Sequence, residues 1–341
     1  MKQRIPITMK DIAEHFGVSV ATVSRALNDN KRISEEVRQK IQQYANDNNF
    51  FPNIIGAQLR HAKTNPSKII GVIIPQLPHY YFSTILQGIE TEAARRGYIV
   101  AFAQSNEDYE RERHICREFL RNQVCGVIVS QAKNTFQYDH FQELIDNNVP
   151  LVFYDRISTG VSASRVVVDD YQGAYKAVSY LIQTGCTKIA FFNAPETLEI
   201  SKNRFNGYKD ALLKHGIPFD ESLVYPCDNR YDAQMITPQI LNSEQRPDAF
   251  FAINDDTALG ILYSAKKMGF SIPDDISICG FSNDAHATSC DPMLTSVEQQ
   301  GKEVGIEATD ILINLVEGEY PKDHIEKRIV RTHLIIRGTT K

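Results

Sequence analysis

The 341 residues are 42% hydrophobic and 23% charged, the composition of a soluble globular protein with room for two or three cores. No apolar run reaches membrane-spanning length and "MKQRIPITMK" lacks the apolar segment of an export signal, so the expectation is a cytoplasmic protein with no membrane partner. The net charge of −5 is unevenly spread: residues 1–65 carry ten Lys/Arg against six Asp/Glu, a basic head on an acidic body, and only the head suits a polyanion.

Thr8, with Asp11 three positions on, is a capping-box pattern that opens a helix over "MKDIAEHF" with Met9, Ile12, Ala13 and Phe16 on one face. Gly17 stops it, and Ser19 can cap a second helix after a turn of about three residues. In "VSVATVSRALN", residues 18–28, Val23, Ala26 and Leu27 mark the buried side, leaving Ala21, Thr22, Ser24 and Arg25 outward. Small hydroxyl residues beside an arginine suit a surface lying close to phosphates and base edges; a solvated amphipathic helix is the plainer alternative. A third helix starts at Ser34, with Glu35 and Glu36 in its first turn and Val37, Ile41, Tyr44 and Ala45 inward. Two short helices joined tightly through a glycine and braced by a third make a helix-turn-helix, whose second helix enters the major groove.

"PNIIGAQLRHAKTNPSK" follows as a small-residue segment with a polar, linker-like tail. From Ile69, buried strands alternate with amphipathic helices: "IIGVII", "IVAFA", "GVIVS" and "LVFY", then a second series "RVVVD", "KIAFF", "DAFFAI" and "ISICGF". This predicts an α/β body of two parallel-sheet lobes. The last strand, "RIVRTHLIIR", is expected to return to the second lobe after the helix near 302–317 has crossed to the first. The expected divisions are a head at 1–50, a hinge or linker at 51–67 and a core at 68–341, the first lobe spanning about 68–167 and 297–328, the second about 168–296 and 329–341. A ligand would lie between the lobes, at the carboxyl ends of the strands.

No dinucleotide fingerprint, phosphate loop, zinc-protease or nucleophile-elbow motif occurs, and no spacing of the nine histidines suggests a triad or metal ligands. "HICRE" around His114 reads as a solvent-facing helix. Cys116, Cys125, Cys186, Cys227, Cys279 and Cys290 include no CxxC pair, so buried free thiols are expected in place of a zinc site or disulfides. The expectation is therefore no enzyme, no cofactor and no metal.

"TMKDIAEHFGVSVATVSRALNDNKRISEEVRQKI" resembles the head of the LacI/GalR (lactose-repressor) family of bacterial transcription regulators, and the likeness continues through "NNFFPNIIGAQLR". The fold it implies is a small all-α helix-turn-helix head joined by a hinge helix to an α/β, periplasmic-binding-protein-like core of two parallel-sheet lobes. By position, Val20 and Ala21 fall where the family reads base edges, and Arg25 where it contacts bases. Thr8, Ser19, Thr22, Ser24 and Asn28 fall among its backbone-anchoring positions, although Ser19 could be purely a cap. Val20 and Ala21 can offer only apolar contact, for instance to thymine methyls. Leu59 takes the place of the leucine that the family presses into the minor groove from its hinge, with Arg60 beside it; such a wedge trades unstacking for a bent, better-wrapped duplex.

In the body the resemblance rests on "GVIIPQLPHYYFSTILQGIE", "NRFNGYKDAL", "NDDTALGILYSAKKMGFSIPDDISICGFSND" and "PMLTSVEQ". It implies effector contacts at Tyr81, Phe82, Asp155, Arg204, Asn254 and Asp255. Each has another explanation: Asp255 as a helix cap, Arg204 in a structural ion pair, Tyr81 and Phe82 as packing at a dimer surface. Ser282 stands where many members place an acidic residue, with Asn283 and Asp284 as partial replacements. That loss suggests a less acidic cleft and an effector carrying its own negative charge. With no tryptophan in the chain, Tyr154 or Tyr231 would have to serve as any sugar platform.

The function so implied is a sequence-specific DNA-binding transcription regulator, first of all a repressor. It would bind a pseudopalindromic double-stranded operator as a homodimer, nucleoid-associated in a bacterial cytoplasm, under control of a small effector derived from carbohydrate. An activator or a purine-type, co-repressor-dependent regulator of the same family is the alternative, as is a non-regulatory solute-binding protein.

Overall fold

Thr8 opens the first helix as its spacing to Asp11 predicts. In the computed structural model, which describes residues 7–27, 29–48, 50, 67–195 and 197–341, its hydroxyl accepts the Asp11 N–H at 3.3 Å while the Asp11 carboxylate accepts the Thr8 N–H at 2.7 Å. Helix α1 (Met9–Phe16) ends at Gly17, whose φ of +62° a side chain would disfavour. Ser19 Oγ then accepts the Thr22 N–H at 3.1 Å and starts α2 (Val20–Leu27). Ser34 makes no side-chain cap to α3 (Glu35–Asp47), where Glu35 and Glu36 face the helix dipole instead. Ile12, Ala13, Val23, Ala26, Ile41 and Ala45 form the core of this head, and Gln42 and Arg38 of α3 bind the turn after α2 through Ala26 O and Asp29.

The chain divides after Ser67 into this head and a second compact unit. That unit holds two sheets of six strands. The first contains β1 (Ile69–Ile74), β2 (Ile99–Gln104), β3 (Gly126–Val129), β4 (Leu151–Tyr154), β5 (Ser164–Val168) and β11 (Lys327–Val330), all parallel, in the order β11-β5-β4-β3-β1-β2. The second contains β6 (Ile189–Asn193), β7 (Val224–Pro226), β8 (Ala249–Ala252), β9 (Ser277–Ser282), β10 (Thr295–Glu298) and β12 (His333–Ile335), in the order β12-β10-β9-β8-β6-β7. Only β12 is antiparallel to its neighbour.

Helices α4 (Tyr80–Arg95), α5 (Tyr109–Arg121), α6 (Asp139–Asp146) and α11 (Gly301–Glu317) cover the first sheet. The second is covered by α7 (Asp170–Gln183), α8 (Glu199–Lys214), α9 (Arg230–Leu241) and α10 (Asp255–Lys267). The near-continuous apolar runs of the central strands β1, β3, β4, β6 and β8 follow from burial on both faces, whereas the edge strand β2 leaves Ile99 and Phe102 exposed.

Two strands depart from the expectation. "RVVVD" heads no second series: β5 pairs with β4, Val152 opposite Ser164, and belongs to the first lobe. "RIVRTHLIIR" is not one strand. Lys327–Val330 lies beside β5, and His333–Ile335 runs against β10 in the other sheet. The break between them is stitched by side chains, since the Thr332 N–H donates to Asp169 Oδ1 at 2.6 Å and the Asp169 N–H to Val330 O at 3.1 Å. The chain thus passes between lobes three times, after β5, after β10 and after β11. All six cysteines are free, four of them buried. No helix among the described residues is long and apolar enough to cross a membrane.

Candidate DNA-reading helix and effector cleft

Helix α2 buries Val23 and Ala26 against α1 and α3, which turns Val20, Ala21 and Arg25 outward, Val20 being 42% exposed, and leaves Thr22 and Ser24 half-buried. Arg25 has no side-chain partner among the described residues. The hydroxyls of Thr8 and Ser19 are already engaged as caps, and Ser19 Oγ also lies 2.9 Å from the Thr22 hydroxyl. Asn28, Leu59 and Arg60 lie outside the described residues.

In the body, the carboxyl ends of the strands carry the polar residues. Tyr81 and Phe82 sit on the first turn of α4, and Asp155 follows β4 with a left-handed φ of +56°. Arg204, from α8, is 3% exposed; its Nε and Nη2 donate to one oxygen of Asp170, at 2.8 and 2.7 Å, and Nη1 donates to Ile253 O. Its guanidinium lies 3.7 Å from the Phe281 ring centre. The structural ion pair weighed from the sequence therefore exists, and its partner is Asp170, the first residue of α7.

Burial pushes the Asp170 carboxyl up to about 6, even though Arg204 beside it favours the charged form. Burial likewise raises Asp155, against the pull of Arg156 and Arg204. The Tyr81 phenol is held well above its ordinary range, by burial first and then by Asp155 and Asp170. Tyr81, Asp155, Asp170 and Arg204 thus form one electrostatic cluster built by both lobes. Its Tyr81 hydroxyl is buried with no hydrogen-bond partner. Phe82 packs edge-on to Tyr154 and under the Arg156 guanidinium, 5.6 Å away. Tyr154 itself is fully buried and donates toward Ile73 O, so it offers no platform, whereas Tyr231 is 70% exposed.

The remaining three positions are tied within the second lobe. Asn254, not Asp255, caps α10: its Oδ1 accepts the Thr257 N–H at 2.8 Å and its Nδ2 donates to Asp228 O at 2.9 Å. Asp255 is fully buried and accepts the Ser296 hydroxyl and the Asp284 N–H, both at 2.6 Å. Burial pushes it up to about 6, and those hydrogen bonds oppose the shift. Ser282, at φ +126°, donates to Gln299 Oε1 at 2.9 Å. Asn283 is engaged by Ser296 and Arg337, and Asp284 caps the short turn at His286.

Ser282 does not leave the cleft poor in carboxylates: Asp155 and Asp170 stand buried there, with Arg156 and Arg204 beside them. Sequence reasoning missed Asp170, Asn193 and Gln299. Asn193 Oδ1, at the end of β6, and Gln299 Nε2, just after β10, are buried without a partner. Asp170 and Asn193 were visible as polar residues at or just beyond the ends of the apolar strands β5 and β6; Gln299, after the mixed strand Thr295–Glu298, carried no such signal.

Residues 8–53 match the model of bacterial regulatory proteins of the lacI family, and residues 178–340 match a periplasmic binding protein-like domain. The Escherichia coli (strain K12) transcriptional repressor CytR is 32% identical over 341 residues, covering 100% of this chain and 98% of that protein. The transcriptional repressor PurR of Vibrio atlanticus is 31% identical, covering 98% of each. Among solved structures, the lac repressor bound to ONPG in its repressed state aligns with a TM-score of 0.84 at 25% identity, over 98% of this chain and 100% of that one. A LacI family regulator from Enterococcus faecium with bound ribose aligns with a TM-score of 0.70 at 26% identity, over 80% and 98%.

Proposed function

This chain belongs to the lacI family of bacterial regulatory proteins, and from that premise we propose that it is a transcriptional repressor acting as a dimer on a pseudopalindromic operator in the cytoplasm. The observation that carries the reading is the outward face of α2, where small residues and Arg25, unpaired among the described residues, lie over a buried Val23–Ala26 side. One head makes too few contacts for specific recognition, so two chains present two such helices to two half-sites. Residues 51–67, with Leu59 as wedge, serve as the hinge between head and core.

The effector is a small, neutral, hydroxylated molecule, a sugar or sugar derivative, held between the lobes. The carboxylates of Asp155 and Asp170 are matched by Arg156 and Arg204, which leaves a neutral ligand the better fit, and Tyr81, Asn193 and Gln299 offer unsatisfied polar atoms to one rich in donors and acceptors. The bound ribose of the Enterococcus faecium regulator supports the same class. A ligand that prefers one arrangement of the lobes shifts the DNA-competent population by its differential affinity. The test is thermal unfolding of the protein against neutral sugars, uronic acids, sugar phosphates and purines. A binder at about a hundred times its Kd adds roughly 2.7 kcal/mol and a visible rise in Tm. A neutral sugar among the hits supports the assignment, and hits confined to the acids or purines overturn it.

A further inference from the structure

Away from the three crossovers, one ion pair among the described residues joins the two lobes: Lys133 Nζ lies 3.2 Å from Asp228 Oδ2. Lys133 follows β3 of the first lobe and Asp228 follows β7 of the second.

Each partner is held rigidly from its own side. The loop that carries Lys133 is tied to Glu112 of α5, a carboxylate with no exposed surface. Glu112 accepts the Ala132 N–H at 2.7 Å, the Thr135 hydroxyl at 2.6 Å and a hydrogen bond from His140 Nε2 at 3.0 Å. The Lys133 N–H donates to Glu107 at 2.7 Å, and Glu107 pairs with Arg156 at 2.6 Å, next to Asp155 and over Phe82. Across the gap, the Asp228 carbonyl accepts from Asn254, the cap of α10. Every bond in this chain except Lys133–Asp228 lies within one lobe. Separating the lobes would break that one contact and leave both supports intact.

We propose that Lys133 and Asp228 form a latch that holds the cleft closed and sets how much of the protein is closed before any effector arrives. Its regulatory meaning rests on the proposed effector cleft; its existence does not. The side chains are 34% and 22% exposed, so solvent screens the pair in part and its loss shifts the open-to-closed ratio by about two- to fivefold.

The experiment is pulsed electron resonance on the full chain, with spin labels at His114→Cys of α5 and Lys214→Cys of α8, both exposed helix positions. Half-buried Cys125 and Cys290 are changed to Ser, and labelled protein is diluted with unlabelled protein so that only intrachain distances are read. No compound is added. Asp228→Asn is expected to enlarge the longer-distance population, and raising salt from about 50 to about 500 mM is expected to do the same to the parent but not to Asp228→Asn. The exchanged pair Lys133→Asp with Asp228→Lys is expected to restore the parent distribution. Identical distributions in parent and Asp228→Asn would overturn the latch, as would a shift that the exchanged pair fails to reverse. Repeating the measurement with the sugar panel separates the two readings: a latch with no sugar response leaves this inference standing and removes the effector class.

Discussion

Arg25 and Arg204 have the same side chain in opposite surroundings, and opposite outcomes follow on truncation. Arg25 is exposed and unpaired among the described residues, so Arg25→Ala should leave the urea midpoint unchanged within about 0.5 kcal/mol. Operator affinity, read by fluorescence anisotropy, should fall at least roughly tenfold, in line with about 1–3 kcal/mol for a bidentate base contact. Arg204→Ala strands a buried carboxylate at Asp170 and should cost about 3–5 kcal/mol of unfolding free energy, which chemical denaturation would register directly. The carboxylates also tie stability to pH. Burial lifts Asp170 and Asp255 to about 6 from an ordinary 3.8, so the folded chain holds these protons more tightly than the unfolded one. Their contribution is complete below about pH 4 and is lost as pH rises through about 6. Urea titrations across that window should therefore show stability falling with pH from these two groups. Asp255→Asn should remove roughly half of that fall; an unaltered slope would show that Asp255 does not titrate there.

Helices α4 and α11 come from opposite ends of the core sequence and meet on two glycines. A Cβ on Gly305 would stand 2.1 Å from Ile85 O, and one on Gly88 2.0 Å from Lys302 O, so the backbones touch where side chains would hold them apart. Gly305→Ala must push the helices apart and should cost about 1–3 kcal/mol, seen as a lower denaturation midpoint with little loss of operator contact by the head. In the head, Ser19→Ala removes the cap of α2 and should cost about 1 kcal/mol of helix-turn-helix stability in a calorimetric scan. The elements of the head were legible almost residue by residue. Thr8, Gly17 and Ser19 act on their immediate neighbours, and local signals of that kind survive any tertiary context. The close approach of α4 and α11 was not legible, because nothing near Gly88 in sequence announces a partner more than two hundred residues away.

For the whole molecule, linkage supplies the strongest test. If the cleft and the operator-binding heads share one equilibrium, operator DNA must change the effector's affinity by the same factor by which effector changes the operator's. Calorimetric titration of an identified sugar with and without operator should give two different Kd values; equal values would uncouple the cleft from the DNA. What the sequence determined by itself was everything of short range: the three-helix head, the outward Arg25, the succession of strands and helices, and the positions where polar residues end apolar strands. Periodicity and capping are written over a few residues, and a reader of the chain has them in full. Only the tertiary structure decided which strands share a sheet, so that "RVVVD" left the second series and the last strand divided between both lobes. It alone placed Asp170 against Arg204, gave the cap of α10 to Asn254, and set Lys133 across from Asp228. Those facts are pairings between distant segments, fixed when sheets choose their neighbours and burial forces each charge to find a partner, and no window of the sequence contains both halves of them.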